Sequence, residues 1–157
     1  MSTPLRAEIT TNSLRDTERV AAKVASHVAA PAVLLLEGDI GAGKSAFARA
    51  FLRAIGVTDQ DIPSPTFTLV QTYESSTGTL WHSDLYRLTD PDEVDELGLL
   101  DAFETSVCLV EWPDRLADAC PQDALVFRLT PGTHDDARNI TLTSTNTRWR
   151  SLFKALS

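Results

Sequence analysis

Three glycines, a lysine and a serine stand at fixed spacing between Gly38 and Ser45, and the segment fits the pattern G-x-x-x-x-G-K-[ST]. Glycines at these positions let the backbone curl so that consecutive N–H groups point towards phosphate oxygens. Lys44 can then reach the β- and γ-phosphates of a nucleotide, and the Ser45 hydroxyl can ligate Mg²⁺. The pattern therefore predicts a nucleotide-phosphate site formed by Gly38, Asp39, Ile40, Gly41, Ala42, Gly43, Lys44 and Ser45.

Two acidic residues further along the chain could complete this site. Glu111 directly follows the apolar run Val107 to Val110, and a buried strand of this kind brings a carboxylate to the carboxyl edge of a sheet. We therefore expect Glu111 to share Mg²⁺ with Ser45. Asp84 ends the run from Thr79 to Ser83, where it could act in the reaction or cap the turn before Tyr86.

Thr66, His82 and an acidic segment each allow a structural and a functional interpretation. The Thr66 hydroxyl in Ser-Pro-Thr-Phe could sense a γ-phosphate as switch segments do, or the segment is a proline turn that enters a strand. His82 has no second His or Cys at metal-binding spacing, which favours a strand residue over a ligand. The seven acids between Asp90 and Glu104 form a solvated helix face or dock a basic partner.

The elements around the glycine-rich segment follow from periodicity. Ser13 and Asp16 together predict the start of a helix. The spacing of Val20, Val24 and Val28 predicts the buried stripe of this helix, and Pro31 predicts its end. The uniformly apolar run 33–36 predicts a parallel strand covered on both faces. A helix from Lys44 to about Ile55 follows, with Gly56 as its C-terminal cap.

The later part of the chain predicts a mixture of strands and helices. The predicted elements are a hairpin over 66–73 and 79–83, a helix from Asp90 to about Gly98, strands over 107–110, 124–129 and 139–142, and a closing helix over 148–156. Early alternation of strands with helices and later hairpins predict an α/β fold. We expect residues 1–157 to form a single P-loop domain, a mixed sheet with parallel core strands, antiparallel hairpin strands and helices on both faces.

The composition limits the classes of function. With 157 residues, 43% hydrophobic and 23% charged, the chain has the length and balance of one globular domain. A net charge of −8 is unfavourable for gripping nucleic acid or anionic lipid unaided. The longest apolar run, Val28 to Leu36, is too short to cross a bilayer and contains a proline. We expect a cytoplasmic protein with reduced thiols at Cys108 and Cys120 and no contact with membranes.

Five segments together resemble the TsaE family, small bacterial P-loop ATPases of tRNA threonylcarbamoyladenosine (t6A) biosynthesis. The resemblance runs from about Ile9 to Leu142, and its segments are Gly-Asp-Ile-Gly-Ala-Gly-Lys-Ser, Ser64-Pro-Thr-Phe-Thr-Leu-Val70, His82-Ser-Asp-Leu-Tyr-Arg-Leu88, Glu93 to Leu99 and Val110-Glu-Trp-Pro113. It implies ATP and Mg²⁺ as cofactors, a switch segment at Thr66, and Asp84 as a second acid needed for hydrolysis. It also implies that adenine lies between the segment near Thr11 and a late loop. Ser45 departs from the family's usual threonine but keeps the hydroxyl.

The resemblance further implies that ATP binding and hydrolysis reset a complex of TsaD and TsaB proteins, which modifies tRNA. This chain would then meet tRNA only indirectly through that complex, and a charge of −8 agrees with a protein partner. Two alternatives remain open at this point. One is a small-molecule kinase on the same loop, and the other is a nucleotide-dependent binding switch with negligible hydrolysis.

Overall fold

The computed structural model describes residues 4–39, 41–59, 61–65, 68–75 and 78–157. Its strands are β1 (Leu5–Thr11), β2 (Ala32–Glu37), β3 (Val70–Ser75), β4 (Gly78–Asp84), β5 (Val107–Glu111), β6 (Leu125–Pro131) and β7 (Arg138–Ser144). The α-helices are α1 (Leu14–Ala25), α2 (Lys44–Ile55), α3 (Glu93–Glu96), α4 (Leu99–Thr105) and α5 (Arg150–Leu156). Two 3₁₀ segments, Pro113–Ala119 and Thr147–Trp149, complete the described elements.

The strands form one seven-stranded sheet in the order β1-β7-β6-β2-β5-β4-β3. Strand β2 pairs in parallel with β5 and β6, and β4 pairs in parallel with β5. The pairs β3–β4, β6–β7 and β1–β7 are antiparallel. This arrangement confirms the predicted mixed sheet with parallel core strands. It also means that β2, β4 and β5 end at the same edge, where functional residues of α/β proteins usually lie.

Strand β2 separates two apolar layers, which confirms that both faces of the sheet are covered. Leu34 and Leu36 pack into the layer that contains α1 and α2, whereas Val33 and Leu35 pack into the layer beneath α3 and α4. All five residues from 32 to 36 are buried. Because alternate side chains of a strand point to opposite faces, a run that is apolar throughout suits a strand between two layers.

The two helices next to the glycine-rich segment largely follow the prediction. Helix α1 begins after Ser13, whose Oγ accepts a hydrogen bond from the Asp16 N–H at 3.1 Å. The predicted stripe is confirmed in part, because Val24 is buried and Val20 and Val28 are partly buried against the same core. The other buried positions of the helix are Thr17, Ala21 and Ala25, and Val28 lies beyond the helix end. The helix ends well before Pro31. At its end, Ser26 Oγ donates a hydrogen bond to the Lys23 carbonyl at 2.7 Å. Helix α2 has the predicted bounds and ends at Gly56, whose φ is +117°.

Several elements differ from the sequence prediction. The helix expected from Asp90 shrinks to α3, although Asp90 Oδ1 still accepts from the Asp92 N–H at 3.0 Å. The sequence pattern did not predict β1, α4 or the 3₁₀ segment after Trp112. The hairpin is confirmed over β3 and β4, and the expected strand residues 66 and 67 lie outside the described part. Among the described residues, no helix has the length and apolarity that a membrane crossing requires.

Candidate functional site

The glycine-rich segment links the end of β2 to the start of α2, and its backbone needs glycine. Gly38 has a φ of +150°, and a Cβ built there would lie 2.6 Å from the Leu129 carbonyl oxygen in β6. Gly43, at φ +101°, caps the N-terminus of α2. The helix N-terminus therefore faces the loop, which favours an anion. Ile40 was also predicted to belong to the phosphate site and lies outside the described residues.

Lys44 is 6% exposed and is held by the backbone of its own loop. Its Nζ donates to the Gly38 carbonyl and, at 3.0 Å, to the Asp39 carbonyl. The Trp112 ring centroid lies 4.3 Å from the same Nζ. Burial lowers the pKa of Lys44, while the carboxylates of Glu111, Asp84 and Asp39 act in the opposite direction. The three carboxylates thus lie close enough to act on the lysine charge.

Glu111 and Asp84 lie side by side at the edge of the sheet. They are direct partners in the β4–β5 register, and their exposed fractions are 2% and 6%. Asp84 Oδ1 accepts a hydrogen bond from the Tyr86 N–H at 3.0 Å. The turn-capping role considered for Asp84 is therefore present in the structure. The same side chain also lines the pocket beside Lys44, so capping and chemistry do not exclude each other.

A pocket of about 390 Å³ brings most of the predicted phosphate and metal residues together. It is lined by Gly41, Gly43, Lys44, Ser45, Ala46, Ser64, Asp84, Tyr86, Arg87, Glu111 and Trp112. A hydroxyl and two carboxylates are oxygen donors of the kind that Mg²⁺ prefers, and Lys44 offers a cation to phosphate. Within the described residues, no group of three or more His, Cys, Asp or Glu could hold a metal alone. Ser45, Asp84 and Glu111 could hold Mg²⁺ together with phosphate oxygens.

Thr66 and Thr11 were also predicted to belong to the site. Thr66 lies outside the described residues. Thr11 is 1% exposed, and its Oγ1 lies 2.9 Å from Thr17 Oγ1, so its hydroxyl is engaged within the protein. The backbone of Thr11 pairs with that of Arg138 across β1 and β7. The predicted contact between Thr11 and adenine remains a prediction.

Sequence reasoning missed three side chains at the site. His82 Nε2 lies 2.8 Å from Glu111 Oε2, and both side chains are almost completely buried. Arg138 lies against the loop, because a Cβ built at Gly43 would come within 2.7 Å of its Nε. Trp112 has a φ of +59°, a conformation rare for a bulky residue, and its ring also packs on Tyr86 with centroids 4.8 Å apart. The Glu-Trp-Pro and His-Ser-Asp-Leu-Tyr-Arg segments were the available signals for Trp112 and His82, whereas Arg138 gave none.

A second groove of about 630 Å³ lies between α1 and α2. Its walls are Leu14, Thr17, Glu18, Ala46, Arg49, Ala50, Arg53 and Ala54. Ala46 lines both this groove and the pocket around Lys44. The two cavities therefore share one lining residue near the start of α2.

Comparison with known proteins identifies the family. The model of the family described as threonylcarbamoyl adenosine biosynthesis protein TsaE matches residues 11–140. The chain belongs to the TsaE family. A TsaE protein of Haemophilus influenzae is 36% identical over 132 residues, covering 83% of this chain and 82% of the relative. A TsaE protein of Bacillus subtilis is 37% identical over 143 residues, covering 90% and 88%.

The fold agrees with the family assignment. The crystal structure of Bacillus subtilis YdiB superimposes with a TM-score of 0.78 at 28% identity, covering 99% of this chain and 97% of that one. The resemblance to TsaE proteins that the sequence segments indicated is thus confirmed over nearly the same range. All the described pocket residues fall within the part matched by the TsaE model.

Proposed function

We propose that this chain is a Mg²⁺-dependent ATPase that acts in t6A biosynthesis by regulating a TsaD–TsaB complex. One observation carries the ATPase part of the proposal. Lys44, Ser45, Asp84 and Glu111 line a single pocket, although they come from three separate parts of the chain. Membership of the TsaE family supports the role in t6A biosynthesis.

Each residue has a distinct role in the proposed site. Ser45 and Glu111 would hold Mg²⁺, which when bound neutralises phosphate charge and positions the β- and γ-phosphates. Lys44 would exchange its carbonyl partners, Gly38 and Asp39, for phosphate oxygens, a stronger charge-assisted contact. Asp84 would orient the attacking water or couple it to the switch segment of Thr66. Gly38 to Gly43 would supply backbone N–H donors.

The groove between α1 and α2 supports a place for the nucleoside. It shares the lining residue Ala46 with the pocket around Lys44, and its walls include the small side chain of Ala50 and Leu14, which is 48% exposed. Thr11 precedes α1 at the same end of the sheet as Arg138, whose side chain touches Gly43. We infer that adenine binds along this side of the loop, and we include Arg138 among the residues near the nucleotide.

Charge and exposure support a protein partner rather than direct RNA binding. The net charge is −8, and most of the seven acids between Asp90 and Glu104 are exposed. Each phosphate contact of an RNA must be matched by a cation, so the isolated chain should bind tRNA weakly. We propose that TsaD and TsaB-like proteins dock on the chain and accelerate an otherwise slow hydrolysis, because switch segments often order on docking.

Phosphate release tests the proposal. The chain is titrated with tRNA alone and then with a purified TsaD–TsaB complex, each with Mg²⁺ and ATP, and Lys44→Ala serves as the inactive control. We expect slow release alone, no response to tRNA and a clear rise with the complex. Tight, salt-sensitive tRNA binding with no response to the complex would overturn the regulatory role. Transfer of phosphate to a small hydroxyl compound would favour a kinase, and nucleotide binding without turnover in any mixture would favour a switch.

A further inference from the structure

His82 and Glu111 form a deeply buried polar contact beside the proposed metal site. His82 is 1% exposed and Glu111 2%, and Nε2 of the ring lies 2.8 Å from Oε2 of the carboxylate. Burying such groups costs free energy unless they are hydrogen-bonded to each other. A carboxylate that holds a cation is ionised and only accepts hydrogen bonds, so Nε2 carries the hydrogen when Glu111 acts as a metal ligand. The histidine therefore donates to one particular oxygen of Glu111.

The sheet register explains why the ring reaches Glu111. His82 and Asp84 are two residues apart on β4 and share one face, and Asp84 is the direct partner of Glu111 on β5. His82 itself pairs with Leu109, one step deeper in the apolar layer under α2. The ring thus lies on the core side of Glu111, while Glu111 lines the phosphate pocket on its other side.

The contact leaves one carboxylate oxygen of Glu111 for a ligand. His82 occupies Oε2, and within the described part of the chain no donor is bonded to Oε1. We propose, on the basis of the proposed Mg²⁺-dependent ATPase function, that His82 is a positioning residue. By fixing Oε2 it holds the Glu111 carboxylate in the orientation that presents Oε1 to the divalent cation. Partners of this kind behind a metal ligand typically contribute about 10- to 100-fold to metal affinity or activity.

Two other polar contacts described at the site are directed elsewhere. Lys44 is bonded to the loop carbonyls of Gly38 and Asp39, and Asp84 Oδ1 accepts from the Tyr86 N–H. His82 Nδ1 has no hydrogen-bond partner among the described residues. Among the described residues, the His82 ring therefore forms one side-chain hydrogen bond, and its partner is Glu111.

The test measures how strongly Mg²⁺ improves ATP binding. The Kd of ATP is determined by calorimetry in EDTA and in excess Mg²⁺, and their ratio is the Mg²⁺ enhancement. His82→Phe and His82→Leu remove the donor, His82→Gln keeps one, and each is compared with the parent chain. Ser83→Ala is the matched control, because Ser83 is buried next to His82 on the same strand and its side chain points to the opposite face.

We expect His82→Phe and His82→Leu to reduce the Mg²⁺ enhancement by about 10-fold or more, with the Kd in EDTA within twofold of the parent value. His82→Gln should retain more of the enhancement, and Ser83→Ala all of it. In a Glu111→Gln background, His82→Phe should cause no further loss of enhancement, because the histidine acts through that carboxylate.

Two results would overturn the inference while the proposed function stands. One is a donor-less variant that folds and keeps the parental enhancement. The other is an equal loss of affinity with and without Mg²⁺, which would indicate a structural role only. If His82→Phe does not fold, as judged by circular dichroism, the smaller His82→Leu decides between these outcomes. A parent chain that binds no ATP under either condition would refute the proposed function itself, and the inference with it.

Discussion

Alanine substitutions at Gly38 and Gly41 separate two reasons why the glycine-rich segment 38–45 requires glycine. Both glycines have positive φ, +150° at Gly38 and +84° at Gly41. A Cβ at Gly38 would lie 2.6 Å from the Leu129 carbonyl oxygen and 3.1 Å from Ala42 Cβ, whereas a Cβ at Gly41 meets nothing within 4 Å. Gly41→Ala therefore strains the backbone, and Gly38→Ala strains it and also forces the loop away from β6.

The expected losses follow from these contacts. Backbone strain at Gly41 should lower the free energy of unfolding by about 1–2 kcal/mol. Gly38→Ala carries a similar or larger strain, about 1–3 kcal/mol, because its φ region is almost confined to glycine. The clash with a β6 backbone atom adds about 1–3 kcal/mol, as in other overpacked sites. For a domain of this size each kcal/mol lowers Tm by roughly 2–4 °C.

Urea unfolding of the nucleotide-free protein measures the difference, with ATP affinity measured on the same samples. Gly78→Ala is the control. Gly78 has a φ of +113° in the β3–β4 hairpin, and a Cβ built there would meet nothing within 4 Å. It should lose stability as Gly41→Ala does and keep the parental ATP affinity. Equal losses for Gly38→Ala and Gly41→Ala would refute the predicted clash with β6.

Three further predictions concern the phosphate pocket. Lys44→Ala should weaken ATP binding about 10- to 100-fold, the value of a charge-assisted contact of roughly 1.5–3 kcal/mol, and unchanged affinity and hydrolysis would contradict its role. Glu111→Gln should raise the Mg²⁺ concentration needed for activity, whereas Asp84→Asn should lower turnover at nearly unchanged Mg²⁺ dependence; identical titrations would contradict this division. ATP should change tryptophan emission because Trp112 lies 4.3 Å from Lys44 Nζ, and a signal that persists in Trp112→Phe would exclude that origin.

The parts of the fold that the sequence predicted well are those governed by local rules. The run 32–36 is apolar at every position, and it forms a strand buried on both faces. Helix α2 begins at the predicted Lys44 and ends at the predicted glycine cap, Gly56. Both features follow from local signals, the helical spacing of the apolar residues and the glycine at the end. Glu111 was located by the same logic, since a carboxylate directly after a buried strand must emerge at the sheet edge.

The parts that sequence reasoning missed depend on pairing between distant segments. Strand β1 alternates half-buried Leu5, Ala7 and Ile9 with exposed residues, and its pairing with β7 joins segments more than 120 residues apart. Because polar residues alternate with the apolar ones, β1 contains no apolar run that would indicate a strand. His82 looked like an ordinary strand residue for a related reason. Its meaning comes from the β4–β5 register, which no local pattern encodes.

That register also bears on the proposed binding of Mg²⁺ and nucleotide. Asp84 and Glu111 are adjacent, nearly buried carboxylates, and like charges in such a place raise the free energy of the folded chain. Lys44 offsets part of this repulsion, yet it is itself desolvated and bonded to loop carbonyls. A divalent cation beside Glu111 would relieve the repulsion between the two carboxylates. A phosphate would replace the loop carbonyls as the hydrogen-bond acceptor of Lys44. The residues that make the apo site electrostatically costly are therefore those that would make Mg²⁺ and a nucleotide bind together.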